Sequence, residues 1–135
     1  MSKELILILG ASSDIGLQLI KRYENDAIIL AHYHTKNTKL SEISQSAKNK
    51  VYTMQADLSD ENQVLSLLDR VQNNFGVPNK IVHLAAPKYR FKRFKDITWE
   101  DYENEIDVSL KSLVLVLRYF LPLMAKRKSG KVVVM

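Results

Sequence analysis

Short apolar runs alternate with helical segments along the whole chain, and this alternation limits the fold more than any other feature. The runs expected to be strands are Leu5–Leu9, Ala27–Tyr33, Val51–Gln55, Lys80–Ala85 and Lys131–Met135. The helices expected between them are Leu17–Tyr23, Lys39–Ala47, Asp60–Phe75 and Trp99–Lys128. Strands that alternate with helices require right-handed crossovers and a parallel sheet covered on both faces. The sequence therefore predicts one three-layer α/β/α domain over residues 1–135, with strand order 3-2-1-4-5.

Capping residues set the expected helix boundaries. Ser59 and Thr98 precede the third and fourth helices, where a side-chain oxygen accepts from a free amide of the first turn. Gly76 follows the third helix as a stop signal. These positions predict the start of each of the two helices and the end of the first of them.

Composition excludes several classes of function without choosing one. The chain has no cysteine, which excludes disulfides and thiolate chemistry. No uninterrupted apolar run approaches the roughly 18 residues needed to span a bilayer, and no signal peptide is visible, so we expect a cytoplasmic protein without a membrane segment. The net charge of +5 favours anionic partners: a phosphorylated cofactor, an acidic carrier or a nucleic acid.

A glycine-containing loop between the first strand and the first helix carries the functional signal. Gly10 lies where the chain turns tightly and a positive φ is expected. Gly16 lies where a side chain would block helix–strand packing or the approach of a pyrophosphate. Free amides at the helix N-terminus favour phosphate, so the loop indicates a Rossmann-type dinucleotide site, the alternative being a plain βα turn. The residues expected to contact a dinucleotide here are Gly10, Ser12, Ser13, Asp14, Ile15 and Gly16.

Three landmarks carry a resemblance to a known family. Leu9-Gly10-Ala11-Ser12-Ser13-Asp14-Ile15-Gly16 resembles the Thr-Gly-x-x-x-Gly-Ile-Gly signature of the short-chain dehydrogenase/reductases. Ala56-Asp57-Leu58 is similar to the family's adenine-binding segment, and Leu121–Met135 to its Leu-Pro-x-Met…Gly-x-Ile-Val segment. The resemblance implies that the Asp57 carboxylate accepts from the adenine amino group and that the Leu58 amide donates to the ring. It also implies hydride transfer between a nicotinamide and a carbonyl or alcohol in the parent enzyme.

The chain departs from the family pattern at several positions. Asp14 replaces the middle glycine of the loop, and His83-Leu84-Ala85-Ala86 stands in place of Asn-Asn-Ala-Gly, with Ala85 and Ala86 expected beside the dinucleotide. Ser109 stands at the position of the family's helix Asn, where its hydroxyl can hold a water but cannot replace an amide. His83 lies within an apolar strand and is expected to be a core residue.

The family's catalytic groups are not found in the sequence. Its catalytic Ser and Tyr-x-x-x-Lys lie beyond the fifth strand, and none of the six tyrosines here is followed by a lysine four residues later. We therefore expect an N-terminal NAD(P)(H)-binding portion, truncated before these groups and inactive alone. The alternative is a non-catalytic dinucleotide-binding or protein-interaction module that has lost the active-site half.

The end of the second strand bears on cofactor choice. An acidic residue there would bind the ribose hydroxyls of NAD, but this chain has Tyr33, His34 and Lys36 instead. With Ser12, these side chains favour a 2′-phosphate and hence NADP(H) over NAD(H); the alternative is a polar loop without preference. His32 and His34 share a strand face, but with no third ligand in view we expect no metal site.

Two further segments bear on partners. Lys88–Lys95 interleaves cations with aromatic rings, and the interpretation favoured here is a solvated loop with buried rings. The alternative is a site for an acidic small-molecule or carrier-linked substrate, which the pattern favours over nucleic acid. In the Tyr102–Met124 segment, Leu113–Leu117 is apolar in every direction around the helix axis. One face should cover the sheet and another should find a second copy, so we expect a homodimer or a higher oligomer.

Overall fold

A parallel sheet of five strands, in the order β3-β2-β1-β4-β5, forms the centre of the molecule. The computed structural model describes residues 3–47, 50–88 and 91–135. The strands are β1 (Glu4–Leu9), β2 (Ala27–Tyr33), β3 (Val51–Gln55), β4 (Lys80–His83) and β5 (Lys131–Val134). The predicted fold class and strand order are confirmed.

The described ranges contain five α-helices. They are α1 (Asp14–Tyr23), α2 (Thr38–Ser46), α3 (Glu61–Asn74), α4 (Trp99–Glu105) and α5 (Ser112–Arg127). A π-helical stretch, Ile106–Lys111, joins α4 to α5, so that one helix runs from Trp99 to Arg127. Helices α1 and α2 cover one face of the sheet, and α3 and α5 cover the other.

The central strand β1 explains why its sequence is continuously apolar. Leu5, Leu7 and Leu9 pack in the core shared with α3 and α5, whereas Ile6 and Ile8 pack in the core shared with α1. Successive side chains of a strand point to opposite faces, so β1, which is covered on both faces, buries all five residues from Leu5 to Leu9. The result is a rigid strand that ends at the glycine loop.

Some boundaries differ from those expected. Helix α1 begins at Asp14 rather than Leu17, because the Ser13 hydroxyl accepts from the Gly16 amide. The N-cap of α3 is Asp60 and not Ser59, since the Asp60 carboxylate accepts from two amides of the first turn. Strand β4 ends at His83, two residues before the expected Ala85.

The long helix begins as expected and departs from expectation further along. Thr98 forms a capping box with Asp101, which confirms the predicted N-cap. By length and composition alone, this helix of 29 residues could cross a membrane. The search for uninterrupted apolar runs did not find it. Of its most apolar window, 22% is buried in the domain. Its buried stripe packs toward the sheet and consists of Ser112, Val116, Phe120 and Met124.

Candidate functional site

A cleft of about 630 Å³ lies at the carboxyl ends of β1, β2, β3 and β4. Its floor and walls come from the glycine loop, the residues that follow β2 and β3, and the segment Leu84–Lys88 after β4. Asn104 and Val108, on the long helix, line the cleft as well. Ligands of open parallel sheets bind at this edge, where the strand order reverses between β1 and β4.

The two glycines allow backbone segments to approach closely. Gly10 has a φ of +82°, and a Cβ built on it would lie 2.8 Å from the Ala85 amide nitrogen. A Cβ on Gly16 would lie 2.5 Å from the Ala11 carbonyl oxygen. The expected turn at Gly10 and close packing at Gly16 are therefore both confirmed, and neither position has room for a side chain.

The start of α1 lies at the edge of the cleft, which Ser12 and Ser13 line. The Ser13 hydroxyl donates its one proton to the Gly10 carbonyl at 3.0 Å and accepts from the Gly16 amide at 3.1 Å, so it has no donor left for a ligand. Within residues 3–47, 50–88 and 91–135, nothing accepts from the amides of Ser12, Asp14 and Ile15. Ser13 thus shapes the loop, and three neighbouring amides remain available to an anion.

The side chains of Asp14 and Ile15 do not line the cleft. The Ile15 side chain is half exposed and lines an apolar groove on the α1 face of the sheet, away from the cleft. The Asp14 carboxylate is the acidic group of the first turn of α1. A carboxylate there interacts favourably with the helix dipole and opposes a second anion at the same place.

Asp57 is held in a fixed orientation after β3. Its Oδ1 accepts from the Ser59 hydroxyl at 2.7 Å and from the Ser59 amide at 2.9 Å. The hydrogen bond from the Ser59 hydroxyl is the main cause that holds the pKa of Asp57 below its ordinary value. Asp57 is therefore an ionised acceptor at neutral pH, while the described part of the chain offers the Leu58 amide no acceptor.

The residues after β2 are only partly brought to the cleft. His34 and Thr35 line it with Ser12. Tyr33 packs instead against the core on the α1 face, and Lys36 is not among the lining residues. Asn37, which sequence reasoning missed, donates to the Ser12 carbonyl at 3.4 Å and caps α2 with its side-chain oxygen.

His32 is buried at the floor of the cleft, and sequence reasoning considered it only as a metal ligand. Its Nδ1 accepts from the Gly10 amide at 3.0 Å, and its Nε2 lies 2.9 Å from the Ala56 carbonyl. Burial lowers the pKa of His32 to about 4. Both ring nitrogens are engaged, and no group of three metal-ligating side chains occurs in the described ranges.

Ser109 makes a contact on the helix surface, whereas His83 is the core residue that its sequence context predicts. The Ser109 hydroxyl donates to the Glu105 carboxylate at 3.1 Å on the helix surface. His83 is a buried residue, as expected, and its Nε2 donates to the Ser112 hydroxyl at 2.8 Å, which in turn donates to the Val108 carbonyl. Burial lowers the pKa of His83. This pair joins the end of β4 to the π-helical stretch that walls the cleft.

Two of the cations in the basic segment Lys88–Lys95 are neutralised by ion pairs within the chain. Lys92 pairs with Asp101 at 2.9 Å, and Arg93 pairs with Asp96 at 3.2 Å. The Phe94 ring is 83% exposed, so the expectation of buried rings is wrong for it. Lys88 lines the cleft, whereas Tyr89 and Arg90 lie outside the described residues.

The comparison with known families agrees with the geometry of the loop and the order of the strands. The family model described as short chain dehydrogenase matches residues 4–135. The chain belongs to this family. It is 33% identical over 133 residues to the NADPH-dependent pterin aldehyde reductase of Arabidopsis thaliana, and the match covers 95% of this chain and 54% of that protein. The chain spans about half the length of the curated relatives that it matches.

Two solved structures share the fold at low sequence identity. A metagenomic short-chain oxidoreductase in complex with NADP matches with a TM-score of 0.87 and 21% identity, over 98% of this chain and 62% of that one. An NADH-dependent reductase complexed with NAD matches with a TM-score of 0.81 and 17% identity, over 98% of this chain and 59% of that one. The relatives thus include proteins with either cofactor.

Proposed function

We propose that this chain is the dinucleotide-binding portion of a short-chain dehydrogenase/reductase and that its cleft holds NADP(H). The observation that carries the proposal is the set of unused amides of Ser12, Asp14 and Ile15 at the start of α1. Such amides, with the helix dipole, favour a pyrophosphate. Gly10 and Gly16 keep side chains out of the same space, so the residues present fit this group.

The adenine end of the ligand is proposed to lie beside Asp57 and Leu58. Asp57 uses Oδ1 for Ser59, which leaves Oδ2 to accept from an exocyclic amino group. The Leu58 amide is a donor for a ring nitrogen. An oriented acceptor beside a free donor suits the edge of adenine.

The preference for a 2′-phosphate rests on the residues after β2. His34 and Thr35 line the cleft beside Ser12, and no acidic residue occupies the place that would bind ribose hydroxyls in an NAD site. Lys36 adds positive charge to this segment. The NADPH-dependent relative and the NADP-bound neighbour support the same preference, and the NAD-bound neighbour shows why it needs a direct test.

The chemistry proposed for the parent enzyme is hydride transfer between a nicotinamide and a carbonyl or alcohol. A phenol and an ammonium serve as acid/base pair in the resembling family, and the 135 residues contain no Tyr-x-x-x-Lys. We expect the chain alone to give no steady oxidation of NADPH with any of a panel of ketones. Activity above a heat-killed control would contradict this. The coding sequence beyond Met135 separates an enzyme portion from the alternative, a non-catalytic module.

An acidic substrate or carrier is proposed at the cleft end of the Lys88–Lys95 segment. Lys92 and Arg93 are in ion pairs, so Lys88, exposed at the cleft, is the cation best placed to receive an anion. For the parent enzyme, Lys88→Ala should raise the KM of acidic substrates and leave neutral substrates unchanged. Lys95→Ala is the matched control, because Lys95 does not line the cleft.

A homodimer through the long helix is proposed from its exposed stripe. Ile106, Leu110, Val114 and Leu121 are each between 43% and 55% exposed. By contrast Leu115 packs against the core and is unsuited to test an interface. Light scattering at several concentrations should give a mass above 15.5 kDa, and Val114→Glu should restore it to that value. A mass of 15.5 kDa at every concentration would contradict the dimer.

Calorimetric titration with NADPH and NADH tests the proposed cofactor. We expect NADPH to bind more tightly, and we expect His34→Ala to weaken NADPH binding by about tenfold while leaving NADH binding unchanged, since only NADPH carries the 2′-phosphate. Equal affinities for the two cofactors in the unchanged chain would overturn the preference. If the chain binds neither NADPH nor NADH, the proposed function is overturned.

A further inference from the structure

The ring of His32 touches two segments of the proposed dinucleotide site. Nδ1 lies 3.0 Å from the amide nitrogen of Gly10, the first residue of the glycine loop. Nε2 lies 2.9 Å from the carbonyl oxygen of Ala56, which directly precedes Asp57. The His32 carbonyl also accepts from the Ala11 amide at 2.8 Å, so backbone and side chain together hold the start of the loop.

These contacts leave one tautomer. A backbone amide only donates and a carbonyl only accepts, so Nδ1 must be bare toward Gly10 and Nε2 must carry the proton toward Ala56. The hydrogen bond made by one ring nitrogen fixes the state of the other. The ring is 2% exposed, and its burial keeps it neutral at neutral pH.

The position of Gly10 matters to the ligand. Gly10 has a positive φ and is packed against the backbone of Leu84 and Ala85 on its other side. The positions of the Ser12 amide and of the Ser13 hydroxyl depend on Gly10. Ser12 lies two residues further along the chain, and the Ser13 hydroxyl, which caps α1, donates to the Gly10 carbonyl. A shift of Gly10 would therefore move the donors proposed to receive the pyrophosphate.

We propose that His32 is a positioning residue of the dinucleotide site: its bare Nδ1 anchors the Gly10 amide, and the Ala56 carbonyl selects the tautomer that leaves Nδ1 bare. The proposal rests on the proposed function and adds to it a residue outside the glycine motif. An apolar side chain in its place would leave the Gly10 amide and the Ala56 carbonyl without these partners.

Two substitutions separate the two contacts. The amide oxygen of Asn lies at about the place of ring Nδ1, and the amide nitrogen of Gln at about the place of ring Nε2. His32→Asn should therefore keep the acceptor for Gly10 and lose the contact with Ala56, whereas His32→Gln should do the reverse. Each variant loses one buried hydrogen bond, so the unfolding midpoints of the two should fall by similar amounts.

NADPH titration of the chain and of these variants, with His32→Leu as the variant that loses both contacts, is the test. We expect His32→Asn to stay close to the unchanged chain, and His32→Gln and His32→Leu to weaken NADPH binding by about tenfold. Binding by His32→Gln as tight as by the unchanged chain would overturn the proposal. So would binding by His32→Asn as weak as by His32→Leu.

A spectroscopic measurement on the unchanged chain does not depend on how the variants fold. The ¹⁵N spectrum of the His32 ring should report a protonated Nε2 and a bare Nδ1 at neutral pH; a proton on Nδ1 would overturn the assignment. If the unchanged chain binds neither NADPH nor NADH, the proposed function is overturned, together with the role in ligand binding. The ring spectrum then decides the Gly10 contact separately.

Discussion

Two regions of the molecule differ in how far contacts within the chain pair their polar groups and cover their apolar side chains. Around β1, β2 and β3, polar side chains at the cleft are hydrogen-bonded within the chain, as in the contacts of Ser13, His32 and Asp57. Around β5 and the long helix, large apolar side chains remain exposed, such as Leu110 and Val133 at 55% and 49%. We call these the loop region and the helix region.

This difference indicates which region binds a ligand and which region forms contacts between subunits. Contacts made within the chain fix the geometry of the loop region, while backbone amides at the start of α1 have no acceptor among the described residues and remain for a ligand. The helix region presents apolar surface of the kind that usually marks an interface. Ligand binding should therefore respond to changes in the loop region, and association to changes in the helix region.

The largest expected effect breaks the loop region at Gly10. Gly10→Ala places a Cβ at a positive φ and 2.8 Å from the Ala85 nitrogen, and strain with overpacking should cost about 4 kcal/mol of unfolding free energy. Gly76→Ala is the matched control, because Gly76 has a φ of +103° with nothing within 4 Å; it should cost about 1 kcal/mol. Urea unfolding measures both, and equal losses would refute the clash at Ala85.

The second effect is a loss of stability in acid that arises from His32. Its pKa is lowered from 6.5 to about 4 in the folded chain, so between these values the unfolded chain binds the proton and the folded chain does not. Stability should therefore be full above pH 6.5 and fall toward pH 4, by on the order of 3 kcal/mol from this residue. The neighbouring His34 and His83 oppose a charge on His32 in the same direction.

His32→Leu isolates this contribution. The variant lacks the titrating ring, so the difference in unfolding free energy between the unchanged chain and the variant should shrink as the pH falls from 6.5 to 4. Urea unfolding at a series of pH values gives this difference directly. A difference independent of pH would mean that His32 is not held neutral.

Much of the fold followed from local sequence, and the errors have physical causes. The order of the strands follows from alternating strands and helices, and Gly10 follows from its place after β1. Ser59 and Asp60 are adjacent capping residues, and only the contact of Ser59 with Asp57 decides that Asp60 caps α3. That contact depends on the turn after β3, which a reading of local helix signals does not include.

The candidate site was predicted where it consists of motif residues and missed where it depends on tertiary contacts. The loop from Gly10 to Gly16 is contiguous in sequence. His32, by contrast, lies 22 residues from Gly10, and His83 lies 29 residues from Ser112. Only the pairing of the strands and the packing of the helix bring these partners together, although a histidine within an apolar strand is a signal that a buried partner exists.

The third effect concerns the helix region at Ser112. Ser112→Ala leaves the His83 Nε2 without its buried acceptor, which should cost about 2 kcal/mol of unfolding free energy. Ser109→Ala is the matched control on the same long helix, because among the described residues the Ser109 hydroxyl bonds to Glu105 alone, on the surface; it should cost less than about 0.5 kcal/mol. Similar losses for the two variants would contradict the structural role of the pair.

The smallest expected effect sharpens the account of the loop region. Asp14→Asn removes the negative charge at the start of α1, and we expect NADPH affinity to rise about threefold, since this carboxylate opposes a phosphate at the same helix end. Glu61→Gln removes a carboxylate from the first turn of α3 and should leave NADPH affinity unchanged. A fall in affinity for Asp14→Asn would mean that the carboxylate helps to hold the ligand.

The central claim is that a dinucleotide binds at the loop region and not on the exposed apolar stripe of the long helix. The most direct test follows the backbone amide signals of the ¹⁵N-labelled chain during titration with NADPH. The account predicts that the largest shifts fall on Ser12, Asp14, Ile15 and Leu58, whose amides lack acceptors in the described part of the chain, while Leu110 and Val114 stay unchanged. Shifts centred on the exposed stripe of the long helix, or no shifts at saturating NADPH, would contradict it.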